Sequence, residues 1–169
     1  MAAAAPGLAE PQAETDCRFW SKRRLKSAAD YAELLRVPSG SAIRAARQFL
    51  SVTAMLVARD EGSVRFGITV GRRNARRAVD RALIKRIVRE ACRRHASTFE
   101  RCAESRALGI DIALRLKSSL IDTDGRPLAM TQWRRYLRVE ADALLRHVLT
   151  QLPAKLSARG VLAEKSEGS

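Results

Sequence analysis

The sequence predicts an α+β fold, a single α/β sandwich with elements in the order α-β-β-α-β-α and a sheet packed by helices. Three observations predict it. Val64, Phe66, Ile68 and Val70 alternate with Arg65, Gly67 and Thr69, and Ile110, Ile112, Leu114 and Leu116 repeat that period of two. After Gly71, and again from Thr131, the apolar period switches to that of a helix. The chain of 169 residues has room for one core without disulfide or metal staples.

Ser27-x-x-Asp30 is a capping-box pattern, and it opens a first helix with Tyr31, Leu34 and Leu35 on one face. Pro38 and Gly40 end that helix. Phe49–Val57 (FLSVTAMLV) reads as a strand, Asp60-Glu61-Gly62 as a turn, and Val64–Val70 as the strand antiparallel to the first. A helix covers about Ala78–His95. The third strand faces the core with Ile110, Ile112, Leu114 and Leu116, and faces outward with Asp111, Ala113 and Arg115. Residues 118–129 read as a loop. The last helix spans about Thr131–Leu152, apolar at Trp133, Leu137, Ala141, Leu144, Leu145, Val148 and Leu152. The expected domain is residues 22–152. Residues 1–21 form an acidic, Ala-rich tail expected to be disordered, with Glu10, Glu14 and Asp16 and no basic residue before position 18. Residues 153–169 are expected to form a second disordered tail.

Charge narrows the partner. The chain has 32 Lys+Arg against 18 Asp+Glu, a net +14. Residues 72–94 alone hold ten basic residues and two acids, a net +8. At about 100° per residue, Arg81, Lys85, Arg86, Arg89 and Arg93 fall on one side of this helix. Leu83, Ile84, Ile87, Val88 and Ala91 fall on the other. A solvated surface helix intersperses both signs, whereas only Glu90 interrupts this face. Five like charges repel one another until a polyanion neutralises them, so the helix points to nucleic acid. No second helix follows closely enough for a helix-turn-helix reader, which favours RNA over DNA. Cys17, Cys92 and Cys102 form no paired framework, as in a reducing cytoplasm. No run approaches the ~20 apolar residues of a membrane span, and a membrane partner is not expected.

The order of residues adds a resemblance. Arg65-Phe-Gly-Ile-Thr-Val-Gly-Arg-Arg73 followed by Ala78-Val-Asp-Arg-Ala-Leu-Ile-Lys-Arg-Ile-Val-Arg-Glu90 resembles the protein subunit of bacterial ribonuclease P. Arg24-Leu-Lys26, Asp30-Tyr31 and Arg47-Gln-Phe49 extend the likeness toward the N-terminus. The resemblance implies a non-catalytic partner of a catalytic RNA that removes the 5′ leader of precursor tRNA, with Mg²⁺ held mainly by the RNA. It implies an RNA-binding set of Arg72, Arg73, Arg76, Arg77, Arg81, Lys85, Arg86, Arg89 and Arg93. It implies a leader cleft of Tyr31, Leu35, Phe49, Val52 and Arg65, and a left-handed β-α-β crossover. Leu35 and Val52 stand where aromatics are common, so base stacking is expected to be weaker here. Ala82 and Leu83 replace the Asn and second Arg of the family's RNR element, which removes a side-chain amide from the basic arc.

Other chemistries find little support. Cys92, His95 and Cys102 lack zinc-module spacing, and Asp122-Thr-Asp124-Gly reads as a plain turn. Trp133 and Tyr136 read as core and rim, and His95 and His147 as isolated histidines. No Ser/His/Asp set or carboxylate pair converges on one site, so no catalytic residue and no small-molecule substrate are assigned. The alternative function is a structural RNA-binding protein of ribosomal type.

Overall fold

The computed structural model describes residues 23–38, 40–59, 63–104 and 108–166. The expected N-terminal tail and the turn at 60–62 lie outside the described residues. The elements are α1 (Ala28–Arg36), β1 (Ala42–Ala46), β2 (Leu50–Val57), β3 (Val64–Val70), α2 (Ala78–Glu104), β4 (Gly109–Leu116) and α3 (Met130–Ser166). The order α-β-β-β-α-β-α contains one strand more than the sequence predicts. That strand, β1, reads Ala-Ile-Arg-Ala-Ala and lacks the large alternating side chains that mark a strand. It forms because a tight connection, closed by Arg47 N–H donating to the Leu50 carbonyl (2.8 Å), folds it back antiparallel on β2.

The expected β2–β3 hairpin does not exist. The sheet order is β1-β2-β4-β3, with β4 antiparallel to β2 and parallel to β3. The physical reason lies in β4, which is buried on both faces over nearly its whole length and belongs at the centre of a sheet. Even Asp111, expected to face outward, is 1% exposed. Arg59 and Ser63 lie against the start of β4, and Gly109 makes room for them. A Cβ there would lie 2.8 Å from the Arg59 guanidinium and 3.1 Å from Ser63 Oγ. Strands β3 and β4 are joined through α2 as a β-α-β crossover.

One face of the sheet packs on α2 and α3. Ile43, Leu50, Val52, Val64, Phe66, Ile110, Ile112, Leu114 and Leu116 meet Ile84, Val88, Phe99, Leu137, Leu144 and Val148 there. Helix α2 runs nine residues beyond its expected end, carried by buried Ala96, Phe99 and Ala103. Helix α3 continues past Leu152 through Pro153 to Ser166. Proline forfeits one backbone hydrogen bond, but Leu152 and Leu156 are buried on either side of it and hold the helix to the core.

Among the described residues, the other face carries α1 alone. Ser27 Oγ accepts from Asp30 N (3.0 Å) and Asp30 Oδ2 accepts from Ser27 N (3.2 Å), the capping box expected from the sequence. Leu34 and Leu25 pack on Met55 and Ala113, with Tyr31 beside them. Residues 23–25 also pair with the outer edge of β3: Phe66 N donates to the Arg23 carbonyl (2.7 Å) and Leu25 N to the Phe66 carbonyl (3.0 Å). The Tyr31 hydroxyl accepts from Ile68 N (3.1 Å), one step along the same edge. Gly67 lies beneath this seam, where a Cβ would sit 2.7 Å from both Leu25 Cδ1 and Tyr31 Cε1.

Gly67→Ala is therefore expected to push α1 off the sheet and to destabilise the fold by about 1–3 kcal/mol, measured by urea unfolding. The Asp30 carboxyl is held below its usual range by the Ser27 hydroxyl and amide, with Arg65 adding to the effect. Because the folded-state value is lowered, its stabilising contribution is complete above about pH 4 and is lost as pH falls through the lowered value. Wild type and Asp30→Asn should differ in stability at pH 7 and converge in acid.

Candidate nucleic-acid interface

Helix α2 buries Ile84, Ile87, Val88, Ala91 and Cys92 against the sheet and α3, which forces the remaining arc outward. Arg86 and Ala82 are exposed on its crest, with Arg93 and Glu90 one to two turns on. Arg93 is tied to Glu90 by hydrogen bonds of 2.7 and 3.0 Å. That bond lowers the Glu90 carboxyl and raises the Arg93 guanidinium. An exposed pair of this kind exchanges readily for a phosphate. Leu83 is half-buried against the core, as its place at the edge of the apolar arc requires.

The segment leading into α2 is braced from below. Asn74 Nδ2 donates to the Leu116 carbonyl (2.8 Å), and Ala75 is buried. Arg81 Nη1 donates to the carbonyls of Ala75 (3.1 Å) and Arg76 (2.5 Å). Arg81 thus acts as the brace of this segment, while Arg72, Arg73, Arg76 and Arg77 are exposed around it. Sequence reasoning grouped all five together; only the side-chain hydrogen bonds separate their tasks.

On the side of α2 nearest α1, Lys85 and Arg89 meet Arg24, Tyr31, Phe66 and Ile68 around a recess of about 40 Å³. Cations from two elements thereby converge beside an aromatic ring and the edge of β3. In the sequence Arg24 stands out only as part of the Arg24-Leu-Lys26 motif.

The α1-facing side of the sheet is an open floor beyond the helix. Its exposed row runs from β1 to β3 as Ala46, Ser51, Arg115 and Thr69, next to the row Arg44, Thr53, Ala113 and Gly67. Arg44 donates to the carbonyls of Val37 (2.6 Å) and Leu35 (3.4 Å), which holds the end of α1. Of the five expected cleft residues, Tyr31 and Leu35 belong to α1, and Leu35 is 61% exposed. Arg65 lies on this face of β3. Phe49 and Val52, each 1% exposed, lie on the opposite face within the main core, so the structure separates them from the cleft. Phe49 N and Leu50 N donate to Glu140 of α3, and the Phe49 ring sits 6.1 Å from that of Tyr136. The floor residue beside Val52 is Thr53; a shift of one residue exchanges sheet faces. The pairing of β2 with the alternating strand β4 is the signal that locates it.

Arg65 is fixed by charge. Its Nη2 lies 2.6 Å from Asp111 Oδ2 and its Nε 3.0 Å from Oδ1, and Arg59 Nη2 reaches the same Oδ1 at 2.5 Å. Asp30 of α1 stands 3.3 Å from the Arg65 guanidinium. The hydrogen bond to Asp111 raises the Arg65 guanidinium further. Burial pushes the Cys92 thiol up, which makes it an inert core group. Among the described residues, no three His, Cys, Asp or Glu side chains group as metal ligands, and no helix is long and apolar enough to cross a membrane.

The model of the ribonuclease P family matches residues 19–138. The chain belongs to the ribonuclease P protein family. It is a subunit of the ribonucleoprotein that processes the 5′ ends of tRNA, and so part of an endoribonuclease holoenzyme. The match leaves the ribosomal-type alternative without support. No curated protein matches the chain significantly. Among solved structures, the Staphylococcus aureus RNase P protein is 20% identical, with a TM-score of 0.47 over 73% of this chain and 93% of that one. The Thermotoga maritima RNase P protein is 21% identical, with a TM-score of 0.43 over 76% and 94%.

Removing Asp111 would leave Arg59 without its carboxylate and Arg65 with Asp30 alone. Asp111→Ala is expected to cost about 3–5 kcal/mol, read by chemical denaturation. The double variant Arg59→Met with Asp111→Ala should recover part of that loss.

Proposed function

We propose that this subunit docks on the catalytic RNA of ribonuclease P through α2 and its lead-in, and holds the 5′ leader of precursor tRNA on the open sheet face. The observation that carries this reading is the convergence of Lys85, Arg89 and Arg24 beside Tyr31, where the basic side of α2 meets the edge of that face. Arg72, Arg73, Arg76, Arg77 and Arg86 extend the phosphate-directed surface, and Arg93 joins it by exchanging Glu90 for phosphate. Arg81 contributes by keeping the lead-in segment in place.

The leader would run across Ser51, Thr53, Thr69 and Arg115, with Tyr31 and Leu35 on the α1 wall. This floor offers hydroxyls and a cation rather than rings. It favours contacts to phosphate and ribose, with stacking confined to Tyr31, so a weak preference for leader sequence follows. Arg65 is a positioning residue on this reading, since its guanidinium already serves Asp111 and Asp30.

Asp30, Asp111 and Glu90 are each engaged by arginine. On this reading the Mg²⁺ of the reaction belongs to the RNA. The protein's part is to neutralise phosphate and to orient the leader. A cytoplasmic setting agrees with three cysteines that form no framework.

Reconstitution tests the proposal. The protein alone should leave precursor tRNA uncut. Added to its RNase P RNA, it should lower the Mg²⁺ needed and favour precursor over mature tRNA. Arg89→Glu should weaken binding to the RNA by roughly tenfold or more and flatten its salt dependence, whereas Arg101→Glu at the far end of α2 should change it little. Equal effects of the two variants, or no change in Mg²⁺ requirement, would remove α2 from its assigned role.

A further inference from the structure

A second basic groove lies on the other flank of α2, away from the leader face. Arg86 and Arg94 of α2 face Arg134 and Arg138 of α3 across a cavity of about 310 Å³, floored by Leu83 and Ile87, with Glu90 between the two α2 arginines. Two packed helices ordinarily set opposite charges across their seam. Here the nearby carboxylates are already committed. Glu90 lies at 2.7 Å from Arg93, and Asp142 holds Arg94 at 3.0 Å and His95 Nε2 at 3.2 Å. Among the described residues, no carboxylate stands within ion-pair distance of Arg86, Arg134 or Arg138.

Arg134 and Arg138 are four residues apart, as are Arg86, Glu90 and Arg94. Each helix therefore offers a ridge of charges spaced by about 6 Å along its axis. The two ridges make a walled channel of guanidiniums, which can bind phosphate oxygens in pairs. An apolar floor lowers the local dielectric and strengthens such contacts. Like charges held together this way repel one another unless an anion lies between them.

We propose that this α2–α3 groove is a second phosphate-binding surface, which takes a backbone segment of the same catalytic RNA that docks on the opposite flank of α2. The inference rests on the subunit reading above. Helix α2 then becomes a ridge straddled by RNA, and α3 becomes a contributor to RNA affinity as well as to the core.

The test uses full-length protein, its in-vitro-transcribed RNase P RNA and a salt titration of binding. Arg134→Gln with Arg138→Gln removes two charges and keeps the side-chain stems. Arg36→Gln with Arg101→Gln removes two charges elsewhere. The groove variant is expected to bind on the order of tenfold more weakly, with a log–log salt slope shallower by about 1.5. It should also lose one discrete patch of backbone protection in a hydroxyl-radical footprint. The control should keep the patch and most of the affinity. Equal losses in both variants, or an unchanged footprint, would overturn the inference while leaving the α2 face intact. Tighter binding after Glu10→Gln, Glu14→Gln and Asp16→Asn in the wild type but not in the groove variant would place the chain's own acidic segment in the groove, and would also overturn it. Failure of the wild-type protein to bind this RNA would instead sink the subunit reading, and the groove with it.

Discussion

Asp111 is the one buried charged side chain among the described residues, and the architecture is organised around it. A carboxylate taken out of water must be paired and hydrogen-bonded or it destabilises the fold. Two arginines meet that demand from two directions. Arg59 arrives from just beyond β2, against Gly109, and Arg65 arrives from the neighbouring parallel strand. Arg65 then reaches Asp30, whose other contacts cap α1. One anion in β4 thus ties together the segment that carries Arg59, β3 and α1. Slipping β4 by a residue would break these bonds, so the network specifies the register as well as the strand order.

The position of the basic surface follows from that order. With β4 inserted next to β3, the chain must return across the sheet through α2, and the helix must bury a full face to do so. Ten Lys and Arg within residues 72–94 cannot share that face, and they are driven onto the outer arc and the lead-in loop. The loop is held from beneath by Asn74, buried Ala75 and Arg81. It presents its four remaining arginines from a fixed base. Charge repulsion on the free protein is the cost of this arrangement, and on the proposed reading RNA phosphates relieve it.

Much of this was legible in the residues. The strands β3 and β4, the capping box at Ser27 and the two-sided character of α2 all follow from local periodicity and are present in the structure, although β4 is buried on both faces where alternation predicts one outward face. Non-local pairing was not legible. Nothing within residues 49–70 says that β4 will come between the two strands, because the preference for the centre resides forty residues away. The Ala-rich β1 has no pattern of its own and exists through its partner. Val52 and Phe49 were placed with the cleft by motif position, whereas the pleat turns them into the core and leaves Thr53 on the floor. Pro153 signals a helix end locally, yet burial of Leu152 and Leu156 outweighs it.

The chain belongs to a family whose holoenzyme matures tRNA, and its basic surface fits a protein that neutralises RNA. The identity of that RNA is what the proposed role turns on. The most direct measurement is to isolate the tagged full-length protein from its own cells at low salt and sequence the RNA that accompanies it. Enrichment of the RNase P RNA, together with tRNA precursors still carrying 5′ leaders, is the predicted result. Recovery of ribosomal RNA alone, with neither of those species above background, would contradict it.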